Sequence, residues 1–159
     1  MNCKYGKLFK NLSTNQVCCL QYDVNQNYYA FVQEMQKKGF AQCIVTSDIM
    51  IKIMQKFVLE GSTEITSIEF MVDDDELKEE IDAILKIMKQ NGGYWSVLKQ
   101  KLEFLSQDDS IEMKKVCFRT SNGMGALFSI QVNGIMVVSE TEFENISGVV
   151  SKIMGGCIK

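Results

Sequence analysis

The densest cluster of side chains able to do chemistry is the acidic run Asp73-Asp74-Asp75-Glu76, followed closely by Glu79, Glu80 and Asp82. Carboxylates at that density can hold a hard divalent cation, so a metal-dependent enzyme using residues 73–76 is one reading of the chain. The order of an EF-hand loop is absent, because no glycine sits at the turn position. A helix N-terminus attracts acids without any ligand, since its unpaired N–H groups carry partial positive charge. The run is therefore expected to open a helix, and no metal ligand is assigned to it.

Histidine does not occur at all. Its absence removes the usual general base near neutral pH, the Ser-His and Cys-His nucleophilic pairs, and histidine-ligated metals. Six cysteines, Cys3, Cys18, Cys19, Cys43, Cys117 and Cys157, contain no C-x-x-C knuckle. Several lie among apolar neighbours, as in Val17-Cys18-Cys19-Leu20, which fits buried reduced thiols better than a zinc site. Gly123-Met124-Gly125 and Gly92-Gly93 lack the spacing of a phosphate-binding loop, and turn chemistry accounts for both. Glu112-Met113-Lys114 has the (D/E)-x-K spacing of restriction-endonuclease-like cores. It falls in the first strand of the three-strand segment, however, and the two strands that follow carry no acid or lysine, so an active nuclease is rejected. No catalytic residue, no cofactor-binding residue and no cofactor is assigned.

Charge narrows the partners. The chain carries 17 basic and 20 acidic residues, for a net charge of −3, which gives no electrostatic reason to expect a nucleic-acid backbone. Arg119 is the only arginine, so the bidentate forks that read guanine edges and phosphates are nearly missing. A basic surface of Lys4, Lys7 and Lys10 beside Tyr5 and Phe9, or of Lys37-Lys38 and Lys114-Lys115, is the remaining route to nucleic acid. Lysine, asparagine and isoleucine are plentiful and proline is absent, the signature of an AT-rich genome. The N-terminus Met1-Asn2-Cys3-Lys4 leads into mixed polar sequence without a signal peptide, and the uncharged stretch 120–139 contains turn residues rather than a bilayer span. The expected setting is cytoplasmic, with no membrane.

The elements follow from periodicity. Lys4 to Phe9 and Val17 to Tyr22 read as strands, and Asp23 with Gln26 has the spacing of a helix capping box. Tyr28, Phe31, Val32 and Met35 recur at helical spacing up to Gly39. Ala41 to Thr46 reads as a short strand. Ser47 or Asp48 then opens a helix through Phe57 and Val58, in preference to an alternating strand at 50–54. Ile65 to Val72 reads as a strand with Ile68, Phe70 and Val72 on one face. Leu77, Ile81, Ile84, Leu85 and Met88 form an apolar helical stripe, broken at Gly92-Gly93 before a second helix from Tyr94 to Leu105. Ile111 to Thr120, Gly125 to Val132 and Ile135 to Ser139 read as a three-strand meander (111–139) turned at Asn122-Gly123 and Asn133-Gly134. Ser139-x-x-Glu142 caps a last helix that Gly155-Gly156 ends. The sum is a single α+β domain over 1–159, a mainly antiparallel sheet whose C-terminal meander is packed by amphipathic helices.

A two-residue turn at Asn133-Gly134 places Val132 opposite Ile135 and Ile130 opposite Val137. The other face of that hairpin then holds Leu127, Ser129, Gln131, Met136 and Val138, with no charge among them. An antiparallel face open to water normally carries polar residues. Both faces are therefore expected to be covered, by the chain's own helices or by another protein. Leu127, Gln131, Met136 and Val138, together with the aromatic pair Tyr94 and Trp95 after the double glycine, are the candidate interface residues. The function that follows is a non-enzymatic protein-binding or regulatory protein, with self-association as a homodimer the simplest form. A nucleic-acid-binding accessory protein of a virus or mobile element is the alternative.

Overall fold

The computed structural model describes residues 2–60, 63–121 and 125–157. In these, strands β1 (Cys3–Asn11) and β2 (Val17–Tyr22) precede helix α1 (Tyr28–Lys37), short strand β3 (Phe40–Gln42) and helix α2 (Ser47–Glu60). Strand β4 (Thr63–Phe70) leads to helices α3 (Asp75–Gln90) and α4 (Trp95–Gln107), joined by a 3-10 turn at Gly92–Tyr94. Strands β5 (Met113–Thr120), β6 (Leu127–Gln131) and β7 (Ile135–Ser139) form the meander, and helix α5 (Phe143–Cys157) closes the chain. The fold is α+β: the strands make one antiparallel sheet in the order β2-β1-β7-β6-β5-β4. β1 pairs with β7 over Cys3 to Lys7 and with β3 over Phe9 to Asn11, so β3 takes up the ladder where β7 ends.

Three of the helix signals resolve differently from the expectation. Asp23 caps a turn, accepting from the Asn25 N–H at 2.9 Å, and it is Asn27 whose side chain accepts from Ala30 N and starts α1. Ser139 does not cap α5. Its hydroxyl donates to the Leu127 carbonyl and accepts from the Leu127 N–H, at 3.1 and 3.0 Å, locking the far end of the β6–β7 hairpin. Nor does Gly155-Gly156 stop α5, which runs on to Cys157. Buried Met154 continues the stripe of Phe143, Ile146 and Val150, and that burial outweighs the roughly 1 kcal/mol by which a helical glycine falls short of alanine.

The layers explain which side chains are inside. One face of the sheet carries Leu8, Ile65, Ile68, Val116, Phe118, Phe128, Ile130, Met136 and Val138, and α2 to α5 supply its cover. Phe57 of α2 lies against Phe118 and Phe128, with ring centroids 5.8 and 4.9 Å away. Ile65 and Ile68 are three residues apart and both buried because the β4–β5 ladder shifts register between Ile65 and Ser67. An irregularity of that kind inserts a residue and re-aims the chain. A second shift follows between Glu69 and Phe70, and the strand ends there, leaving Val72 exposed rather than on the core face. On the opposite face α1 covers only the β1–β2 end, where Phe31 and Val32 pack with Phe9, Leu20, Tyr22 and Phe40.

The hairpin register corrects the sequence reading. Phe128 pairs with Val138, Ser129 with Val137 and Ile130 with Met136, one residue away from the two-residue turn. The Gly134 N–H donates to the Gln131 carbonyl and Gly134 adopts φ +83°, so the loop is the three-residue form with its left-handed position at the glycine. Neighbouring strands set this slip: Leu8 N donates to the Gly134 carbonyl, Val45 N to that of Val132, and Val132 N to that of Lys114. Met136 and Val138 consequently share the core face with Phe128 and Ile130, and both are fully buried. The second turn expected at Asn122-Gly123 lies outside the described residues.

Candidate interaction surface

With that register, the face of β4 to β7 turned away from the helices has a definite composition. Ser67, Cys117, Ser129 and Val137 lie side by side across the strands, all half-buried except Ser129, which is buried. Above them Gln131 faces Lys115, whose Nζ is 4.0 Å from Glu69 of β4. Below them Leu127 faces Arg119, which pairs in turn with Glu64. The middle is uncharged, two serines with a cysteine and a valine, and charge is confined to a rim. No described helix covers this face, and Leu127 is 41% exposed within it.

The candidate residues therefore separate. Leu127 and Gln131 stand on the open face, whereas Met136 and Val138 lie beneath the helices. Trp95 is the first residue of α4, only 5% exposed and part of the main core, while Tyr94 before it is half-buried in the 3-10 turn. A tryptophan after a double glycine reads equally as anchor or as interface. Here it anchors the α3–α4 connection.

The groups with chemical potential do not converge. Asp74 is the N-cap of α3, its carboxylate accepting from Leu77 N at 3.1 Å, and Asp73, Asp75 and Glu76 point outward. Lys78 and Lys114 line the same 390 Å³ cleft as Asp73 and Asp74, and among the described residues no three acids or cysteines are placed to hold a metal ion. Glu112 and Lys114 are exposed on either side of buried Met113. A 300 Å³ cleft between α2 and α5 gathers Lys56, Glu60, Glu142 and Asn145, but Lys56 pairs with Glu60, and Glu142 accepts from Asn145 at 3.4 Å. The lysines of β1 divide by strand alternation, with Lys4 and Lys10 on the Leu8 face and Lys7 on the other.

Lys7 is the residue the sequence misrepresents most. It is 1% exposed, its Nζ donates to the Asn133 carbonyl and lies 6.0 and 5.7 Å from the ring centroids of Phe9 and Tyr28. The only local hint is its place in the middle of β1, where Gly6 to Phe9 are buried without a break. A strand flanked on both edges and covered on both faces has no exposed side at its centre.

The six cysteines are all free. Burial pushes the Cys19 thiol from its ordinary 9.0 up to about 12, with Cys18 adding to the effect. Burial also raises Cys18, Cys43 and the Tyr22 phenol. The folded chain holds these protons while the unfolded chain releases them, so stability is complete below about pH 9 and declines from there toward pH 12. We expect the unfolding free energy from urea titrations to fall between about pH 9 and pH 10.5, by at most about 1.4 kcal/mol per pH unit for one thiol, and Cys19→Ala to flatten the fall. A free energy constant through that interval would show that Cys19 is not sheltered.

Comparison with protein-family models, curated proteins and solved structures finds no match to this chain.

Proposed function

We propose that this chain is a non-enzymatic protein-binding module that docks another protein on the open face of β4 to β7. The observation that carries the reading is the exposed Leu127 at the edge of a neutral strip of Cys117, Ser129 and Val137, rimmed by Arg119, Lys115 and Glu69. An uncharged centre with charges held to the rim is the anatomy of a transient protein interface. The absence of histidine supports a role without acid–base catalysis. Six free cysteines suit a reducing, cytoplasmic setting, and among the described residues no helix is long and apolar enough to cross a membrane. The nucleic-acid reading draws no support from lysines that point to opposite faces of β1, or from Phe9 and Trp95, which are buried.

The test is affinity capture from cells that express the chain, followed by reconstitution with the purified partner. Leu127→Lys should weaken that complex about tenfold or more, since it puts a charge at the apolar site, while the unfolding midpoint stays unchanged. Equal affinity for wild type and Leu127→Lys would remove this surface from the partner's footprint.

A further inference from the structure

The two edges of the sheet are built differently. At one end β4 carries Glu64 and Glu69, two register shifts and the adjacent α3, whose Lys89 reaches Glu64 at 3.0 Å. Charges, irregularities and a covering helix are the devices by which natural sheets prevent a further strand from pairing. At the other end β2 reads Val-Cys-Cys-Leu-Gln-Tyr, without a charge and in unbroken register with β1 from Lys10–Val17 to Tyr5–Tyr22. Among the described residues the sheet ends there. α5 packs on the Cys19 face of β2 and α1 on the Tyr22 face, so the edge lies between two helices.

The direction of the unused backbone groups follows from the ladder. Asn11 N donates to the Gln16 carbonyl, which makes Asn11 and Gln16 a hydrogen-bonded pair, and such pairs alternate along antiparallel strands. Cys18, Leu20 and Tyr22 therefore spend their backbone groups on β1. Val17, Cys19 and Gln21 direct theirs outward.

We propose that the β2 edge is the self-association surface of this protein, and that its occupant is β2 of a second copy in antiparallel pairing. The strand is complementary to itself. About a two-fold axis at Cys19, Val17 meets Gln21 of the copy and Cys18 meets Leu20, so outward residues face outward residues and no charge faces a charge. Two chains that each carry −3 meet where neither presents a charged side chain. Leu12, in the turn between β1 and β2, and Val24, just after β2, are exposed by 59% and 53%, and Tyr29, the most exposed large apolar residue described, is the second residue of α1. A 670 Å³ cleft lined by Lys4, Gln21, Tyr22, Asp23 and Val24 lies at the Tyr22 end of the strand, and along Val17 to Leu20 a second copy brings the matching uncharged strand in register. This surface goes beyond the docking face proposed above, and it stands or falls separately.

The test is sedimentation and light scattering of the intact chain with two variants. Wild type should run at twice the chain mass. Gln21→Pro removes one outward N–H and spares the β1 ladder, so it should weaken the dimer about a hundredfold while circular dichroism stays native. Leu127→Lys, on the open face, should leave the dimer intact. A monomeric wild type, a dimeric Gln21→Pro, or a dimer broken by Leu127→Lys would each overturn the proposal. Should Gln21→Pro fail to fold, amide exchange on wild type decides: protection at Val17, Cys19 and Gln21 that rises with protein concentration upholds the pairing, and unprotected amides end it.

Discussion

Phe128→Ala is expected to lower the unfolding free energy by about 3–5 kcal/mol, within the range for emptying a large aromatic site in a core. Phe128 is 3% exposed, lies parallel to Phe118 with centroids 4.6 Å apart, and meets the Phe57 ring of α2, which touches both, at 4.9 Å. Neither neighbour can collapse into the space. Phe118 is held by ladders to β4 and β6, and Phe57 belongs to a fourteen-residue helix seated on the sheet. Domains of this size have about 5–15 kcal/mol in total, so about a fifth or more of the stability should vanish. The thermal midpoint should fall by about 6–20 °C, at roughly 2–4 °C per kcal/mol. Leu127→Ala, one residue earlier on the opposite face, should change it little. Urea titrations of the two variants side by side make the check, and a Phe128→Ala loss under about 1 kcal/mol would mean that the three rings do not join α2 to the meander.

Gly134→Ala should follow closely, at about 2–4 kcal/mol, for two separable reasons. At φ +83° any side chain is strained, and a Cβ there would sit 2.7 Å from the Cys43 carbonyl oxygen, a backbone atom that cannot rotate away. That carbonyl belongs to a segment already tied down, since Cys43 N donates to the Leu8 carbonyl while Leu8 N donates to Gly134. Gly39 provides the control. Its φ is +91°, but a Cβ would meet nothing within 4 Å, so Gly39→Ala should show the conformational cost alone, about 1–2 kcal/mol. Equal losses in the two variants, measured by denaturant titration, would mean that the contact with Cys43 contributes nothing.

These two sites also locate the limits of reading the chain residue by residue. Asn133-Gly134 signals a tight turn correctly, yet the same dipeptide serves two hairpin registers. With the glycine alone left-handed, Met136 and Val138 turn inward. With both residues left-handed, Val137 and Ile135 do. All four side chains are apolar, so hydrophobicity along the strand does not choose between them. The choice comes from the segment at Cys43 to Val45 and from Leu8, which hold the loop from outside the hairpin. The candidate interface divides for the same reason, with Leu127 and Gln131 on the open face and Met136 and Val138 inside.

The amino-acid sequence by itself determined the α+β class, the meander, and most helices and strands. Those features rest on local quantities: the 3.6-residue stripes of α2 and α3, the apolar runs of β2 and β5, and glycines such as Gly39 that end a helix. Only the tertiary structure decided the hairpin register, the shifts in β4, the burial of Lys7 and which face of the sheet stays open. Each of these depends on which segments lie beside a strand, often more than a hundred residues away, as Lys7 and Asn133 are. Side chains alternate with a period of two, so a one-residue slip imposed by a distant neighbour exchanges inside for outside along the whole strand.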